Sequence, residues 1–148
     1  MGFLSDLKLA WNEVWRAVGK PSDQAFSPYR WSDNQMGHFA LGVLVSSIIL
    51  HATGNHWAAL AVVFVLAVGK EILDLTKGLT LRTLYDSAYD ACFWMLGDIV
   101  ALSLWYRSPE AFWTTLAIGV VLYVTGVVPR AVNSARAGKW NAKARSIN

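Results

Sequence analysis

Cysteine is almost absent from this chain. Cys92 is the single one in 148 residues, which excludes a disulfide framework and leaves Cys92 the expected role of a small packing residue. Familiar nucleophile signatures are missing as well. There is no G-x-S-x-G and no H-E-x-x-H, and Cys92 has no evident base beside it. No internal repeat stands out, and no cleavable signal peptide is expected, because the first apolar stretch is short and charged throughout. "MGFLSD" carries no Ser or Thr at its sixth position, so N-myristoylation has little support. The most informative lack is of charge. The 36-residue run Asn34–Gly69 contains no Asp, Glu, Lys or Arg, Ala111–Pro129 contains none, and Ala91–Tyr106 has Asp98 alone. A soluble helix of such composition would have no polar face to show to water.

Hydrophobic residues make up 55% of the chain, mean hydropathy is +0.35, and there are eight tryptophans. Crossing a bilayer takes roughly 20 apolar residues, and the uncharged runs supply four such stretches once the first is broken at "ATGNH". The expected fold is therefore all-α, a polytopic membrane protein with four transmembrane helices at about 35–53, 56–74, 86–106 and 111–129. Trp31, Trp57, Tyr85, Trp105, Tyr106 and Trp113 lie near the predicted helix ends, where amphipathic rings favour the headgroup layer.

Basic residues set the expected orientation. Lys8, Arg16, Lys20 and Arg30 precede the first span, Lys77 and Arg82 separate the second and third, and Arg130, Arg136, Lys139, Lys143 and Arg145 follow the fourth. Only Arg107 stands on the opposite side, so both termini are expected in the cytoplasm of a bacterial inner (plasma) membrane. The net charge of +3 is mostly this topology signal. The basic tail suits anionic headgroups, and no nucleic-acid partner is expected.

Three segments follow. Residues 1–32 hold an amphipathic interfacial helix and a linker, 33–130 the four-helix transmembrane domain, and 131–148 a basic cytoplasmic tail. In the first, Leu4, Leu7, Trp11, Val14, Trp15 and Val18 recur at helical spacing, with Asp6, Glu13 and Arg16 off that stripe. Such a helix lies on a membrane surface or docks on another protein. Small residues mark the packing faces: His38, Gly42 and Ser46 fall four apart, as do Thr115 and Gly119, and Gly97 continues the stripe of Asp86 and Asp90.

The acidic residues gather at one level. Glu71 and Asp74 close the second predicted span, Asp86 and Asp90 open the third, and Asp33 and His38 stand at the start of the first. The pairs at i,i+3 and i,i+4 each share a helix face. Ser32-x-x-Gln35 fits a capping box, and Asp33 and Asp86 are natural N-caps. Lys70 is placed to snorkel and to pair with Asp74 four residues on. Glu71 and Asp74 oppose the helix dipole and call for a compensating cation, metal or proton. Asp98, 12 residues into the third span, is about 18 Å deep at 1.5 Å per residue, where a carboxylate must be neutral or paired. Oxygen ligands with one imidazole suit Mg, Mn or Zn. Such a metal recruits a phosphate or activates water; without one, the acids share protons.

"DNQMGHFALG", "GKEILD" and "DSAYDACFWMLGD", in that order, resemble the VanZ-like and YfiM-like families of small integral membrane proteins. The match covers about residues 33–98 and falls on Asp33, His38, Lys70, Glu71, Asp74, Asp86, Asp90 and Gly97. It implies a cell-envelope role and a shared site without naming a reaction. The leading expectation is an envelope protein whose cluster binds a phosphate-bearing lipid or precursor, through a divalent metal. A metal-dependent lipid hydrolase or phosphotransferase is the enzymatic alternative. An accessory subunit of a larger membrane complex, or a homo-oligomer, is the structural one.

Overall fold

A computed structural model describes residues 28–76 and 78–145, and among 137–145, as at Arg82, the backbone only. The expected interfacial helix, the linker up to residue 27, Lys77 and the last three residues lie outside the described residues, while residues 28–32, expected in the linker, are helical. All described secondary structure is helical, with no strand: α1 Pro28–Thr53, α2 His56–Leu75, α3 Leu81–Trp105 and α4 Pro109–Arg145. The short connections alternate the direction of successive helices, so α1 and α3 run parallel. The central helix is α3, which packs on the other three, while α2 and α4 flank it with almost no contact between them.

The buried face of α1 is one stripe, Trp31, Gln35, His38, Gly42, Ser46 and Leu50. In α2 it is Ala59, Val63, Ala67 and Glu71, each four residues from the last. Spacings of three and four keep one face toward neighbours. What is unusual is the content of these stripes. Gln35, Ser46 and Asp98 have 0% exposure, whereas Val65, Leu73, Val120 and Val121 are each more than 60% exposed. Polar side chains share the interior with an apolar core around Trp31, Phe93 and Val63, while large apolar side chains cover the outside. Both α1 and residues 109–136 of α4 are long and apolar enough to cross a bilayer, and only 11% of the apolar window of α4 is buried. A core helix of a soluble protein would be mostly covered.

Helix starts differ from expectation. Pro28 opens α1, where its fixed φ and missing N–H cost nothing. The helix then runs through Ser32 and Asp33, so neither caps it. Ser32 Oγ donates to the Pro28 carbonyl at 2.7 Å and accepts from Tyr123 Oη at 2.7 Å. Asp86 is no cap either: α3 begins five residues earlier, on a Thr80–Thr83 capping box. Trp31, expected at the headgroups, is instead 1% exposed, a turn inside α1 against Phe93, Tyr89 and Tyr123. Asn55 caps α2, accepting from the amides of Trp57 and Ala58. At the far end α4 passes through Pro129 and stays helical to Arg145, into the basic tail. Cys92 is exposed rather than packed; it lines an open apolar groove of about 320 Å³ between α2 and α4, with Phe64, Met95 and Ile118.

Backbone proximity sets the α1–α3 seam. A Cβ on Gly42 would overlap the Trp94 carbonyl oxygen, and one on Gly97 would overlap that of Phe39. The two glycines face each other, and this contact fixes the relative height of the two helices. Gly119 sits more loosely, with Leu96 Cδ1 3.6 Å from where its Cβ would stand.

Candidate functional site

The seam brings the polar residues of three helices to one level. From α1 come Asn34, Gln35 and His38, three and four apart and so on one face. The last turns of α2 carry Lys70, Glu71 and Asp74, and α3 contributes Ser87 and Asp90. Asp90 is the hub. Gln35 Nε2 donates to its Oδ1 at 2.5 Å, Asn34 Nδ2 reaches both oxygens at 3.2 Å, and Lys70 Nζ donates to Oδ2 at 2.9 Å. His38 Nδ1 lies 3.4 Å from Asp90 Oδ1, outside hydrogen-bond geometry, and this buried nitrogen has no hydrogen-bond partner. The His38 ring stacks on Trp94 with centroids 6.0 Å apart.

Lys70 bridges the carboxylates. Its Nζ is 2.8 Å from Glu71 and 3.2 Å from Asp74 as well as bonding Asp90, and Ser87 interacts with Glu71 from α3. The expected pairing of Lys70 with Asp74 is therefore only part of a three-way bridge. It also supplies the compensation that two acids at a helix C-terminus require. Among the described residues Lys70 is the ammonium shared by three carboxylates, with the His38 imidazole beside Asp90, and burial makes any charge left uncompensated there costly. One donor atom each from His38, Glu71 and Asp90, all three residues buried, lie within 4.8 Å of one another. One imidazole with two carboxylates is a donor set for a divalent ion of the Mn or Zn type.

Other expected residues lie elsewhere. Asp33 is exposed on α1, because the helix starts before it and turns it outward. Asp86 is bridged to Arg130 of α4. There Arg130 also covers the Trp31 ring, 4.5 Å from its centroid, and donates to the Gly126 carbonyl at 2.8 Å. Gly126 is where a Cβ would strike that ring. Asp98 is two turns beyond Asp90 and only seven residues before the end of α3, past the middle of the helix rather than at it, because α3 starts earlier than expected. Ser46 interacts with its carboxyl.

Asn34 and Ser87 are not site candidates in the sequence, and Gln35 figures there only as the capping-box partner of Ser32. Asn34 and Gln35 had a readable signal: amides in an uncharged run, on the face of His38. Ser87 lies one residue after Asp86, and only the path of α2 makes it a neighbour of Glu71. Among known proteins, no family model matches the chain, and no curated protein and no solved structure matches it.

Proposed function

We propose that this is a multi-pass protein of a bacterial inner membrane whose His38/Glu71/Asp90 cluster binds a divalent cation, and through it a phosphate-bearing lipid or envelope precursor. The observation that carries this is the buried donor triad within 4.8 Å, whose imidazole nitrogen faces Asp90 at 3.4 Å without making a hydrogen bond and whose acids share Lys70. A divalent ion brings positive charge to these carboxylates and retains coordination positions for phosphate oxygens. Exposed Phe64, Val65 and Leu66 on α2 and Ile99 and Leu104 on α3 support membrane crossing by all four helices. Cytoplasmic termini rest on the basic residues of the loops, and the envelope role on the VanZ-like and YfiM-like motifs.

Metal analysis of the protein purified in lipid nanodiscs tests the reading. About one Mn or Zn per chain is expected, falling at least tenfold in Glu71→Gln and Asp90→Asn while both variants keep their helical content. Retention of an anionic phospholipid should then depend on the metal and be reversed by chelation. Metal-free wild-type protein after incubation with either ion would sink the proposal.

A second reading has its own observation. Lys70 already bridges all three carboxylates, which suits a buried charge network that holds an accessory subunit in shape. In that case Glu71→Gln lowers stability and leaves metal content at background.

A further inference from the structure

Beyond the cluster, the same seam holds a second group of polar atoms that the proposed function leaves unused. Both carboxylate oxygens of Asp98, the Ser46 hydroxyl that interacts with that carboxyl and the Trp94 indole nitrogen are buried, and none makes a direct hydrogen bond. Asp98 and Ser46 have 0% exposure. Trp94 stands one turn from Asp98 on α3 and stacks on His38, so these groups follow one another from the cluster inward. Asp90 and Asp98 are eight residues apart, about 12 Å along the axis. No ionisable neighbour can balance Asp98: α1 has none between Phe39 and Leu50, α2 none between Trp57 and Gly69, and α4 none between Ala111 and Leu122; Glu110 in its first turn is itself an acid, and Tyr123 donates to Ser32 at the far level. On α3 the nearest are Asp90, which belongs to the cluster, and Cys92, which faces outward.

We propose that Asp98 is an intramembrane proton site, a carboxyl that takes and releases its proton through water held against Ser46 and Trp94, reached from the cluster side. Buried polar atoms are paired with protein or ordered water, and a water among Asp98, Ser46 and Trp94 would complete four atoms that make no direct hydrogen bond. Hydronium delivers its proton to the carboxylate, forming the O–H bond and leaving water; release is the reverse, so charge and atoms balance. The direction follows from what lies past Asp98. The buried hydroxyls toward the other end, Ser103 and Thr115, are already committed to the Val100 and Ala111 carbonyls.

Infrared difference spectra of the protein in lipid nanodiscs test this, and do so whether or not the cluster holds metal. Near neutral pH a protonated-carboxyl C=O band is expected. It should disappear in Asp98→Asn, which mimics the neutral acid and keeps the fold. It should change frequency in Ser46→Ala, a small-for-small replacement, and shift within minutes of transfer to heavy water. Trp94→Phe, with the ring kept and its N–H removed, should slow that exchange about tenfold. A band unaffected by Asp98→Asn and Ser46→Ala, or one insensitive to heavy water, overturns the proton site. Unchanged exchange in Trp94→Phe overturns the route.

Discussion

Lys70 is the residue on which the two functional readings divide. It does what a divalent ion would do, with its single charge shared among Glu71, Asp74 and Asp90. A cation that only neutralises can be replaced by a stronger one. Lys70→Met therefore removes a competitor, and Mn or Zn affinity measured by titration should rise about tenfold, on the order of 1.4 kcal/mol. If the network is structural, the same change leaves buried carboxylates unpaired and should lower the melting temperature with no gain in metal. Arg130 is the matching residue on the other side of α3. It is partly exposed, so Arg130→Ala should cost only about 1–2 kcal/mol in detergent unfolding, from the lost Trp31 face and the Asp86 bridge. Metal content should stay unchanged, because Asp86 is not among the donors of the triad.

At the scale of elements, the α1–α3 seam decides whether the donors meet. Gly42 and Gly97 let the two backbones touch, and bulk there must push them apart. Gly97→Leu should destabilise the bundle by at least about 1–3 kcal/mol and abolish metal binding with it. Gly37→Ala is the control, since its Cβ would meet nothing within 4 Å; it should be neutral or slightly stabilising in the same melt, as Ala is the better helix former. Gly42 is legible in the sequence through its four-residue spacing from His38 and Ser46, and Gly97 through the stripe of Asp86 and Asp90, because helical periodicity is a local property. Helix starts were harder. Asp33, Asp86 and the Ser32-x-x-Gln35 pattern all obey local capping rules. Yet Pro28 and Thr80 start their helices earlier, and a residue already inside a helix has no free amide to cap. Asp86 then turned to Arg130 instead of to Glu71.

For the whole molecule the outer surface is apolar, and Cys92 offers a direct check of what covers it. As the single cysteine, exposed in the groove between α2 and α4, it accepts a nitroxide label without any substitution. In liposomes, molecular oxygen should relax that label more than a water-soluble nickel chelate does. Dominance of the chelate would mean that this face meets water and that the helices do not cross a bilayer. Helix number and type, the apolar exterior and the level of the acids were determined by sequence alone, because long uncharged runs and helical spacing are local properties. Which acids share a site was not. Asp90 rather than Asp86 joined His38 and Glu71, Asp33 turned outward and Lys70 moved from the interface into the centre. Those outcomes depend on the rotation and height of each helix against its neighbours, and these are set by backbone contact at Gly42 and Gly97 and by the seating of Trp31 on Gly126. Such contacts join residues more than fifty positions apart, and only the folded bundle brings them together.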